Sequence, residues 1–131
     1  MKAFMLMAGI IGAYAIGGVA AHAQCKGSPA VTGVCSTVHG RLFIANGIPV
    51  RIWVVGTHHV LAAVDLSPHP ADAIDAAPPS VRRLLLSGQP GAIVVYGDYE
   101  VCPLEKYRPG HMQAVCIKSA AHLAAGRSAA N

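Results

Sequence analysis

Charge is scarce in this chain: Asp, Glu, Lys and Arg together make up 12% of its 131 residues, and Phe, Trp and Tyr only another 5%. No run of Lys or Arg exceeds the pair Arg82-Arg83, so the dense basic patch that gathers phosphate contacts on nucleic acid is missing. No C-x-x-C occurs, which leaves neither a thioredoxin-type redox motif nor a paired zinc knuckle. No H-x-H or H-x-x-x-H places two imidazoles on one strand or helix face. The stretch "SGQPG" lacks the lysine and following helix of a phosphate loop. Ser80, Ser87 and Ser119 lack the glycine-flanked setting of a nucleophile elbow. These absences weigh against nucleic-acid binding, nucleotide hydrolysis, triad hydrolysis and dithiol chemistry.

What is present begins with a leader. "MKAFMLMAGIIGAYAIGGVAAHAQ" opens on one basic residue, Lys2, continues as an apolar run and ends in Ala21-His22-Ala23. That is the layout of an export signal over residues 1–23, with cleavage after Ala23 and a mature start at Gln24. Two alternatives keep a membrane link: an uncleaved anchor over Phe4 to Ala21, close to the roughly 20 residues that span a bilayer, or lipid attachment at Cys25. The chain carries ten Lys and Arg against six Asp and Glu; without Lys2 the mature balance is nine against six, or +3, which is only mildly basic.

All four cysteines, Cys25, Cys35, Cys102 and Cys116, follow the cut, and an even count in an exported chain predicts disulfides. Three pairings are open. Cys102 with Cys116, closing a short loop, and Cys25 with Cys35, securing an N-terminal arm, is the favoured one.

Residues 24–34, with Gly27, Pro29 and Gly33, read as that extended arm. From Thr37 to Ala45 and again from Ile48 to Val55, β-branched and apolar residues dominate, separated by Asn46-Gly47, a strong hairpin signal. Gly56-Thr57 then breaks the run, and residues 59 to 65 form a third strand. "DLSPHPADAIDAAPPS" holds four prolines and reads as a long loop with one turn near Ala71 to Ala76. Pro79 and Gly88 bracket a short helix whose Val81, Leu84 and Leu85 face the sheet. "AIVVYGDYEVC", residues 92 to 102, alternates clearly, and its Gly97 predicts a bulge or bend. His111 to Ser119 forms the last strand, and residues 122–131 a helical or frayed tail.

Three strands, a helix and two strands form one β-rich domain over residues 35–121. The expected fold is mainly β, a small five-stranded antiparallel OB-like barrel with one short helix between strands three and four. An open antiparallel sheet with one packed helix is the alternative.

"TVHGRLFIANG", "VRIWVVGT", "VYGDYEVCPLE" and "MQAVCIKSA" together resemble an uncharacterised family of small exported bacterial proteins, over about Cys35 to Ala121. The family has no established activity, ligand or catalytic residue to carry over. The resemblance implies that the position of His59 is an exposed turn, since similar sequences often place a basic residue there. The Pro- and Ala-rich segment from Pro68 to Pro79 departs from the family pattern.

Two classes of function follow. In the first, the chain is an exported non-catalytic binding or structural module of the cell envelope, with no cofactor and with an envelope protein or glycan as partner. Arg51, Trp53, Tyr96 and Tyr99 are its candidate contacts, because aromatic residues and Arg dominate binding hot spots; packing in the barrel is their bland role. Membrane contact would run only through the anchor or the lipid. In the second, it is a small exported metal protein or enzyme using His58, His59 and Asp98, drawn from a wider set of His39, His69, His111 and His122. Asp98 and Glu100, on one strand face, also mimic a glycosidase carboxylate pair. Arg41 and Arg51 are alternatively cross-strand partners of those two carboxylates.

Overall fold

The computed structural model describes residues 25–44, 50–67, 72–87 and 93–127. The expected leader, the expected turn at Asn46-Gly47, His69, Gly88 and the last four residues lie outside them. Five strands are present: β1 (Ser36–Phe43), β2 (Arg51–Val54), β3 (Val60–Ala63), β4 (Ile93–Pro103) and β5 (Gln113–Arg127). Between β3 and β4 come a 3-10 turn (Ala73–Ala76) and one helix, α1 (Pro79–Leu86). The strands close into a barrel in the order β1-β2-β3-β5-β4. This is the OB-like arrangement with its helix where expected.

Four of the ladders are antiparallel and one, β3 with β5, is parallel. The parallel seam is a matter of parity: strands that alternate direction around a closed ring must be even in number, so a ring of five requires at least one parallel pair. The connection that makes this possible runs through α1 and β4, long enough for a parallel crossover.

Alternation decides which side chains fill the barrel. Leu42, Ile52, Leu61, Val95, Tyr99, Val101, Val115 and Ile117 point inward and are buried. Ala76, Ala77 and Val81 join the same cluster, with Leu84 and Leu85 packed on it. They share one buried cluster with Leu42, Val50, Ala63 and Val95, near the ends of β1 and β3 and the start of β4. The helix therefore plugs one end of the barrel. Proline at its first position costs no donor the helix would have used. Arg82 ion-pairs with Asp75 at 3.2 Å, so of the two helix arginines Arg83 is the exposed one.

The bulge expected at Gly97 lies on the opposite strand. Tyr96 pairs with Ala124 and Asp98 with Ala121, so β5 carries the extra residue there, and a second irregularity follows between Glu100 and Val101. His122 sits in that bulge with φ of 54°. Gly97 supplies the space: a Cβ on it would stand 2.6 Å from Leu123 Cδ2 and 3.0 Å from the Ala121 carbonyl oxygen.

Two expectations are corrected. The chain from Ala120 is strand as far as Arg127, because the start of β4 needs a partner to close the barrel; cross-strand pairing overrides the weak β preference of alanine. The last strand therefore reaches Arg127, and the arm from Cys25 is bridged to it. The disulfides are Cys25–Cys116 and Cys35–Cys102, with no free cysteine. Cys102 and Cys116 do face each other in the β4–β5 ladder. However, Ser36 pairs with Val101, which brings Cys35 beside Cys102 with Cα atoms 4.1 Å apart. The arm crosses both strand ends, donating Thr32 N–H to the Pro103 carbonyl, and so delivers Cys25 to Cys116. A bridged Cys25 has no thiol left to carry a lipid.

Candidate functional site

The end of the barrel away from α1 is open. A cavity of about 480 Å³ lies there, lined by Val34, Ser36 and Val38 from the arm and β1, Val54, His59, Val60 and Leu61 around the β2–β3 turn, and Val101, Pro103, Tyr107, Gln113 and Val115 from β4, β5 and their loop. Half of the residues that line it are valines. Mouths of β-barrels are preferred ligand sites, and this volume falls within the range of about 300–1,000 Å³ typical of them. Val34 is 90% exposed at its edge.

The rim is built by "VGTHHV". Gly56 takes φ of 79°, the left-handed region that glycine enters without a Cβ penalty. Thr57 Oγ1 donates to the Val54 carbonyl at 2.7 Å and accepts the His59 N–H at 3.0 Å. Trp53 Nε1 donates to the Thr57 carbonyl at 2.8 Å. His59 is thereby fixed against Tyr107, ring centroids 4.9 Å apart and edge-on, a favoured geometry for aromatic pairs. Two loops distant in sequence thus meet across the mouth, with both rings exposed. On the far side, Glu105 Oε1 accepts the Ala114 N–H and its carbonyl accepts from Gln113 Nε2, each at 2.9 Å.

Of the expected contacts, Trp53 anchors this rim and Tyr99 is core. Tyr99 is fully buried and donates its hydroxyl to the Val95 carbonyl at 2.6 Å, and burial pushes its ionisation well above the usual tyrosine range. Arg51 and Tyr96 lie on the outer face, in register with Phe43 and Arg41 respectively. The proposed pairing of Arg41 and Arg51 with Asp98 and Glu100 does not occur. Arg41 instead lies over Trp53 and Phe43, its guanidinium carbon 5.2 and 5.5 Å from their centroids, within cation–π range. The Nε atoms of both arginines are buried without a hydrogen-bond partner.

Asp98 is likewise not with His58 and His59. It accepts from His39 Nδ1 at 2.9 Å and His122 Nδ1 at 2.8 Å, and these bonds hold its carboxyl below the usual carboxylate range. The β5 bulge creates this cluster by aiming His122 at β4. Glu100 bonds Lys118 and Ser119, each at 3.2 Å, so it faces its own partners. Ser87 Oγ donates to the Leu84 carbonyl. His58 and His111 are exposed. Among the described residues, no group of three or more His, Cys, Asp and Glu side chains is placed to hold a metal. Sequence reasoning missed Val38, Val60, Tyr107 and Gln113. A valine facing an empty mouth reads the same as one facing a core, and only the helix's position separates the two.

No protein-family model, curated protein or solved structure matches the chain.

Proposed function

We propose that the chain is an exported, non-catalytic binding module of the cell envelope whose ligand seats in the open mouth of the barrel. The observation that carries this reading is the asymmetry of the barrel, plugged by α1 at one end and open at the other as an apolar cavity of about 480 Å³. Both disulfides lie beside that mouth, tying the arm to β4 and β5. They suit an oxidising compartment, and they hold the rim in its shape before any ligand arrives, which lowers the ordering cost of binding. Export to the periplasm or the medium rests on the leader together with these bridges. No step of bond making is asked of the site, where Trp53, Thr57 and Glu105 are engaged in holding the loops.

The test is titration of the oxidised protein with the neutral fluorophore N-phenyl-naphthylamine. Saturable enhancement at one equivalent is expected, and it should be lost in Val60→Phe, which fills the cavity, while circular dichroism stays unchanged. Absence of saturable binding by the native protein, or its persistence undiminished in Val60→Phe, would overturn the proposal.

A further inference from the structure

The mouth is apolar, and the loop that gives it Tyr107 is basic. Lys106 and Arg108 flank Tyr107 in the β4–β5 loop, and while Tyr107 lines the cavity both neighbours are exposed. Neither forms an ion pair among the described residues, where the salt bridges are those of His39, Arg82, Lys118 and His122. The imidazoles of His58, His59 and His111 are exposed on the same two loops. Against these stands a single carboxylate on the two loops, Glu105, and it is turned onto the Ala114 N–H.

An apolar chamber beside two exposed basic side chains is complementary to a molecule with an apolar body and one anionic end. Resting on the reading of the mouth as the ligand site, we infer that the occupant is a single-chain amphipathic carboxylate of the fatty-acid type. Its chain lies among Val38, Val54, Val60 and Val101, and its carboxylate stands at the rim within reach of Lys106 and Arg108. A planar guanidinium matches a carboxylate through two parallel hydrogen bonds, and the exposed ammonium adds a point charge beside it. A cavity of about 480 Å³ holds one short chain rather than the two tails of a membrane phospholipid, so the inferred source is a free acid and not a bilayer.

Calorimetric titration of the oxidised protein with decanoate, decanol and anionic phospholipid vesicles tests this. Decanoate should bind at one equivalent and at least about tenfold more tightly than decanol, a difference worth about 1.4 kcal/mol. Lys106→Ala/Arg108→Ala should remove most of that preference while leaving decanol affinity where it was. Val60→Phe should weaken both ligands together. Equal affinity for decanoate and decanol, or a decanoate preference unmoved in Lys106→Ala/Arg108→Ala, would overturn the anion inference and leave the mouth as an apolar site. If vesicles bind and decanoate does not compete, the basic loop serves a membrane surface and the inference fails. If neither small ligand binds, this inference and the proposed function fall together.

Discussion

Removing one disulfide should cost this domain a large share of its stability, and the nesting of the two bridges sets the size. Cys25–Cys116 spans 91 residues and Cys35–Cys102 spans 67, the second lying wholly inside the first, so the two loops differ by only 24 residues. With one bridge in place, the unfolded chain is already constrained, and the other closes an effective loop of about that shorter length. Chain entropy then assigns about 3 kcal/mol to the second bridge and about 4.6 kcal/mol to a first bridge acting alone. Each single removal, Cys35→Ala/Cys102→Ala or Cys25→Ala/Cys116→Ala, should therefore cost about 3 kcal/mol, and removal of both about 7 to 8 kcal/mol. The double loss approaches the whole stability of about 5–15 kcal/mol of an ordinary domain. Urea unfolding followed by the emission of Trp53, the only tryptophan, measures it, with a larger m-value expected as the unfolded state expands. The thermal midpoint should fall by about 12 to 24 °C for a single removal. A single removal costing under about 1 kcal/mol, or non-reducing peptide mapping that recovers Cys25 joined to Cys35, would refute the reasoning.

Other outcomes follow from separate contacts. Gly40→Ala places a Cβ 2.4 Å from Ile52 Cγ2 and 3.5 Å from Tyr99 Cδ2, and overpacking of that kind should cost about 1 to 3 kcal/mol in urea unfolding; a neutral result would mean that β1 and β2 are more loosely packed than described. Trp53→Phe removes the donor to the Thr57 carbonyl, with a loss of about 0.5–1.5 kcal/mol and faster amide exchange at His59; unchanged exchange there would show that the turn stands without its anchor. Asp98 ionises below its usual range because His39 and His122 bond its charged form. A depressed carboxylate contributes stability above its unfolded value, near pH 4, and loses it as pH falls through the lower folded value. Acid unfolding should therefore show a component below about pH 4 that is missing in Asp98→Asn and reduced by salt, which screens exposed charges; identical acid curves for the two proteins would count against the pairing.

Much of the barrel is legible from local signals. Alternation in "AIVVYGDYEVC" and the Pro79–Leu86 helix start carry over because they depend on near neighbours in sequence. The disulfide pairing was not legible, since the short-loop rule favours Cys25 with Cys35, whereas the β1–β4 register, a contact between segments more than fifty residues apart, sets Cys35 against Cys102. The Ala-rich end of β5 misled for a related reason: its strand state comes from the open edge of β4, which nothing in "AAHLAAGR" records. Of the candidate contacts, Trp53 reached the rim, while Tyr99 fell in the core because Gly97 keeps β4 in phase, so that odd-numbered positions face inward. His58 and His59 stand side by side in the sequence, but only the His59 imidazole is braced on Tyr107, a contact between two loops that no local pattern records.

The bridge from Cys25 to Cys116 also defines how the domain transmits force. Tension applied at Cys25 passes through sulfur directly into β5, bypassing the arm, the mouth and the other four strands. Pulled between Cys25 and Arg127, the oxidised domain can pay out only the eleven residues beyond Cys116, about 40 Å of extended chain. With both bridges reduced, the same pull would release about 350 Å. Oxidation thus converts a barrel that would unravel from its first strand into one tethered by its last, and single-molecule extension under oxidising and reducing conditions would separate the two lengths.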